Sequence, residues 1–103
     1  MNKSELQGLL NNINNMVFTN EGKIYEYISL LKQCVEKLQT LQKEDKSPML
    51  DAWLSMGLQE IKKELDNKFN NGFDKLIGDK QKSELMYSQS SVTMALTNIL
   101  MHL

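Results

Sequence analysis

Residues 20–45, NEGKIYEYISLLKQCVEKLQTLQKED, decide the fold class. Ile24, Ile28, Leu31, Val35 and Leu38 follow one another at steps of four, three, four and three. That spacing averages about 3.5 residues per turn, the period of a bundle or coiled-coil seam. Tyr27, Leu30, Cys34 and Leu41 widen the stripe. Thr19 is positioned to cap the helix, and Glu21 sets a carboxylate in its first turn, where the helix dipole favours negative charge.

Three further helices are expected around it. Over residues 4–17, Leu6, Leu10, Ile13 and Val17 recur at helical steps, and Ser4 with Gln7 forms a capping-box pattern. The run is rich in asparagine, a mediocre helix former, so this helix leans on tertiary contacts. Lys43 to Lys46 is a polar connection. Ser47-Pro48 then restarts the chain, with serine at the cap and proline where no N–H is needed. Leu50, Leu54, Leu58, Ile61, Leu65 and Phe69 form a stripe over residues 48–70, with Glu60, Lys62, Lys63, Glu64 and Asp66 facing away. Asn70-Asn71-Gly72 reads as a helix stop, Phe73 to Ile77 as one further turn, and Gly78-Asp79 as a second stop. Over residues 80–103, Leu85, Val92, Leu96, Ile99 and Leu103 keep the seam, with Gln89 as its polar member. No sustained alternation suggests a strand. The expectation is an all-α fold: one domain over residues 1–103, a small bundle of about four helices with coiled-coil-like packing.

Composition narrows the function. The chain has 103 residues, 41% of them hydrophobic and 24% charged, with a net charge of −1. Such a chain can bury a modest core and carries no bulk field toward nucleic acid or an anionic membrane. Its basic residues are all lysine, and arginine is the usual reader of phosphates and base edges. The lone Cys34 permits no internal disulfide. The first residues, MNKSELQGLL, lack the apolar run of a signal peptide, so the expected location is cytoplasmic, with signal-independent export left open.

Catalytic chemistry finds no foothold. Cys34 lies on the apolar flank of a helix and reads as a small buried hydrophobe. His102 sits at the C-terminal tip. There is no HExxH, no CxxC and no phosphate-binding glycine loop. No catalytic, metal or cofactor-binding residue is assigned, and no cofactor is expected.

The segment Leu85 to Leu103 is unusual, because it carries no formal charge. It has the length of a membrane span, but Ser88, Gln89, Ser90, Ser91, Thr93, Thr97, Asn98 and His102 make it too polar, so membrane insertion is not expected. Tyr87, Met94, Leu100 and Met101 lie off its main stripe. A helix apolar beyond one stripe needs covering on more than one side. Either it is the central helix of the bundle, or it meets another chain, and the sequence reading favours a partner. The expected partner is a protein, a second copy or another helical chain, and not nucleic acid. The residues expected to meet it are Trp53, Tyr87, Val92, Met94, Leu96, Ile99, Leu100, Met101 and Leu103. Met49, Met56, Met86, Met94 and Met101 lie on the two C-terminal helices and read mostly as gap-filling core, though methionine also suits adaptable binding surfaces.

In size, helicity and a mid-chain tryptophan the chain resembles the secreted helical hairpins with a central Trp-X-Gly motif. It departs from them at that motif, which here reads Trp53-Leu54-Ser55-Met56-Gly57 inside a helix. In length it is similar to the bacteriocin immunity proteins, which are compact four-helix bundles. The functional expectation is a non-enzymatic interaction module: an adaptor, a secretion-linked partner or a small chaperone. The alternative is an immunity or inhibitor protein that binds one toxin or host enzyme.

Overall fold

The computed structural model describes residues 2–44, 47–69 and 79–103. Four helices account for most of them: α1 (Asn2–Asn14), α2 (Glu21–Glu44), α3 (Pro48–Phe69) and α4 (Asp79–Met101). There is no strand among the described residues. The stop at Asn70 to Gly72, the extra turn at Phe73 to Ile77, Gly78, and Asp45 and Lys46 of the polar connection lie outside them.

Each helix packs on two others: α1 on α2, α2 on α3, α3 on α4, and α4 back on α1. The ring closes into a four-helix bundle of 43 × 23 × 17 Å. Side-chain pairs show the alternating directions of the helices. Glu5 near the start of α1 pairs with Lys37 far along α2. Gln42 near the end of α2 donates to Ser55 Oγ, 2.9 Å away near the start of α3.

The helix starts follow local chemistry, with two shifts from expectation. Ser47 Oγ accepts from the Leu50 N–H at 3.5 Å, so the Ser47-Pro48 start stands. The cap of α2 is Asn20 rather than Thr19: its Oδ1 accepts from the Lys23 N–H at 3.1 Å. Helix α1 begins at Asn2, so Ser4 lies inside it. Gln7 there donates to Asn11 Oδ1 at 3.0 Å, one turn on, instead of completing a capping box.

The core seam of α2 is Ile24, Tyr27, Leu31, Cys34, Leu38 and Leu41, with Leu30 beside it. Ile28 and Val35, expected at its centre, are half-buried flanks. Helix α3 contributes Leu50, Leu54, Leu58 and Ile61, while Leu65 is half-buried. Glu64, expected to face solvent, is buried. In α4 the polar seam residue is Ser88, which is fully buried, and not Gln89. Tyr27 OH and Ser88 Oγ lie 2.7 Å apart in the interior, joining α2 to α4 across the ring.

Gln89 has another task. Its Nε2 donates to the carbonyls of Ile13 at 2.6 Å and Met16 at 3.1 Å. The Ile13 carbonyl, in the last turn of α1, also accepts from the Met16 N–H at 3.2 Å, and Met16 lies just past the helix end. A side chain of α4 therefore caps the end of α1, and α1 ends at Asn14. Val17, expected in its stripe, is 67% exposed. The chain turns so that Phe18 enters the core instead, where its ring meets Tyr27 edge-on at 5.3 Å.

Gly57 sets how closely α3 approaches α4. A Cβ at this position would stand 2.6 Å from Ile99 Cδ1 and 3.8 Å from Leu38 Cδ1. Overpacking of this kind costs about 1–3 kcal/mol, while glycine to alanine in a helix gains about 1 kcal/mol. Gly57→Ala is therefore expected to destabilise by about 1 kcal/mol net. Ile99→Val removes the obstructing methyl at a cost of about 1 kcal/mol. In that background Gly57→Ala should become neutral or stabilising. Urea denaturation of the four-member cycle measures the coupling, and additivity would refute a direct clash.

Gln89→Ala should cost about 1–2 kcal/mol, because the part-buried Met16 carbonyl loses this donor and the Ile13 carbonyl keeps only the Met16 N–H. Amide exchange should accelerate in α1 first. Uniform acceleration through all four helices would argue against the capping role.

Candidate protein-interaction face

The residues expected at a partner surface divide into two groups. Val92, Leu96 and Ile99 are fully buried and Leu100 nearly so. They form the inner side of α4 and leave a partner no surface to touch. The physical reason is the closed ring: α1 and α3 flank α4, and the far wall of the core comes from α2. Tyr87, Met94 and Met101 remain exposed. Trp53 and Leu103 are half-buried at the edge.

Five methionines gather on the same two helices, and all are on the outside. Met49, Met56, Met86, Met94 and Met101 are between 60% and 75% exposed. The expectation that most of them fill the core does not hold. Helical spacing explains it. Met49, Trp53, Met56 and Glu60 follow at steps of four, three and four, offset from the buried Leu50, Leu54 and Ile61. On α4 a second stripe, Ser83, Tyr87, Ser90, Met94, Thr97 and Met101, runs opposite the core stripe. The signal was present in the sequence as two interleaved periods, but the apolar character of methionine disguised which of them faces inward.

Between the outer sides of α3 and α4 lies a shallow groove of about 270 Å³. Trp53, Met56 and Glu60 line one wall, and Ser91, Met94, Ala95 and Asn98 the other. Gly57, Ser91 and Ala95 are small, so the helices meet closely beneath it. The Trp53 indole stacks on the His102 imidazole at 4.5 Å with 26° between the rings, closing one end. Among the described residues Glu60 is the one charged residue lining it. A larger groove of about 520 Å³ between α1 and α2 differs in chemistry. Glu5, Asn12, Gln33, Glu36, Lys37 and Thr40 line it, and the Glu5–Lys37 ion pair crosses it. The Lys37 ammonium holds the Glu5 carboxyl below its usual range, through its hydrogen bond first and its charge second.

The buried titratable groups serve the interior. Burial pushes the Cys34 thiol up to about 12, so almost no thiolate is available as a nucleophile. Burial also raises the Tyr27 phenol, the Glu64 charge adds to that, and the Ser88 hydrogen bond opposes it. No group of three or more His, Cys, Asp or Glu among the described residues is arranged to hold a metal ion. No helix among them is long and apolar enough to cross a membrane. Comparison with known protein families, with curated proteins and with solved structures finds no match to this chain.

The two buried groups make the fold sensitive to alkali. The unfolded chain releases the Cys34 proton near pH 9.0 and the Tyr27 proton near 10.0, while the folded chain retains both. Unfolding then releases protons, so their contribution is complete below pH 9 and is lost as pH climbs toward 12 and beyond. The expected slope is up to about 1.4 kcal/mol per pH unit for each group. Urea midpoints at pH 8 and pH 11 measure it. Cys34→Ala should shrink the difference between them, and an unchanged difference would mean Cys34 is not sealed from solvent.

Proposed function

We propose that the chain is a non-enzymatic protein–protein interaction module whose working surface is the outer face of α3 and α4. One observation carries the reading: Met49, Met56, Met94, Met101, Tyr87 and the edge of Trp53 lie on the outer stripes of α3 and α4, and the chain carries no formal charge from Leu85 to Leu103. Single exposed apolar residues are ordinary, but a grouped apolar face on a small chain marks a contact site. Methionine is flexible and polarisable, so such a face adapts to apolar partners. The groove beside Trp53 suits the apolar side of a helix laid along it. The cellular setting that fits is that of an adaptor, a secretion-linked partner or a small chaperone.

The test is affinity capture from the native host with the wild-type chain and with Met56→Glu. Met56 is exposed and remote from the core seam, so its substitution should shift stability by less than about 0.5 kcal/mol. A partner held by the wild type should be lost with the variant. Identical capture by both would refute this face as the working surface. Deleting α4 is a poor substitute for that variant, because Leu85, Val92, Leu96 and Ile99 are part of the core.

The closed ring of helices favours a second reading, an immunity or inhibitor protein. Such a protein presents a finished surface to one toxin or enzyme and needs no partner to complete its fold. Protection of toxin-exposed cells on expression would support it, and absence of protection would dismiss it.

A further inference from the structure

We infer that the occupant of the α4 outer face is a second copy of this chain, paired antiparallel through a two-fold axis. This rests on the reading of the α3–α4 face as the working surface. The outer stripe of α4 is Ser83, Tyr87, Ser90, Met94, Thr97 and Met101, at steps of four, three, four, three and four. That is a heptad seam, and all six residues are exposed. Its members alternate in size without exception: serine or threonine at one heptad position, tyrosine or methionine at the other.

Two copies can meet along this seam in two directions. Parallel pairing sets each position against itself, so Met94 crowds its own copy and Ser90 faces a gap. Antiparallel pairing about the stripe's midpoint sets Ser83 against Met101, Tyr87 against Thr97 and Ser90 against Met94. Every large side chain then faces a small one, and the layers interdigitate at even thickness. The stripe is thus complementary to itself under the two-fold operation that a closed dimer requires.

Electrostatics permits the same pairing. No residue from Leu85 to Leu103 carries a formal charge, so no like charges meet across the seam. The Thr97 hydroxyl tolerates burial as well. Thr97 Oγ1 already donates to the Thr93 carbonyl at 2.7 Å, so covering it strands no donor. The large members of the seam, Tyr87, Met94 and Met101, are between 67% and 75% exposed. One side of a standard interface buries about 800 Å². A six-residue seam on one helix falls short of that, which suits a weak, reversible dimer with the groove beside Trp53 at its margin.

Sedimentation equilibrium of the full chain over micromolar concentrations is the first arm of the test. The expected result is a monomer–dimer equilibrium. Met94→Glu should raise its dissociation constant by about 100-fold or more, because a carboxylate is driven into a dry seam. Its circular dichroism and thermal midpoint should match the wild type, since Met94 lies outside the core. Chains carrying Ser90→Cys mixed with chains carrying Met94→Cys should oxidise to a mixed cross-linked dimer in preference to either self-linked product. A monomeric wild type, a dimer indifferent to Met94→Glu, or preferential self-linking would each overturn the inference. None of those results touches the broader reading, whose failure is seen separately, when Met56→Glu leaves capture of host proteins unchanged.

Discussion

Tyr27 and Ser88 meet in the middle of the bundle at 2.7 Å, and the orientation of the two helices that carry them follows from that contact. Helices α2 and α4 face each other across the ring instead of lying side by side. A tyrosine long enough to span the core joins them. Its hydroxyl would be costly to bury alone, and so would that of Ser88. Each satisfies the other. Turning α2 far enough to bring Ile28 inward would withdraw Tyr27 and leave Ser88 without this partner. The buried polar pair therefore selects one rotation of α2 among several with nearly equal apolar burial, the role polar seam residues play in helical assemblies. Phe18 against the Tyr27 ring and Glu64 nearby belong to the same layer.

Other features follow from that rotation. With Ser88 pointing inward, Gln89 points toward α1 and reaches the carbonyls at its end. Helix α1 stops there, and Phe18 follows into the core. At the opposite end of the bundle, Gly57 lets Ile99 settle against α3, so α3 and α4 lie close. Close helices leave little room between them for large side chains. Met56 and Met94 therefore stand outside, flanking a shallow groove. The exposed methionine face is in this sense a product of tight packing beneath it.

Much of the fold was legible in the sequence. Ser47-Pro48 marked the start of α3, and the 3–4 spacing of apolar residues, broken in α4 by Gln89, marked all four helices. What could not be read was which of two adjacent residues points inward. Tyr27 and Ile28 are neighbours, as are Cys34 and Val35, and each pair offers an apolar residue at either phase of the same period. The candidate site suffered from the same ambiguity. Val92, Leu96, Ile99 and Leu100 share a helix with Met94 and Met101, and hydrophobicity alone does not tell core from interface. Leucine and isoleucine occupy the inner stripe of α4, and the outer stripe pairs methionine and tyrosine with small hydroxyl residues.

By itself the sequence determined that the chain is helical, roughly where each helix runs, and that the 19 residues from Leu85 to Leu103 carry no formal charge. These follow from local chemistry: backbone capping, the period of 3.5 and the side-chain inventory. Only the tertiary structure decided the phase of each helix, the burial of Ser88 and Glu64, and the outward placement of the methionines. The physical reason is that phase is a collective choice. A helix with apolar residues on more than half its circumference has no preferred inner side until other helices supply a hydroxyl for Tyr27, carbonyls for Gln89 and a glycine for Ile99.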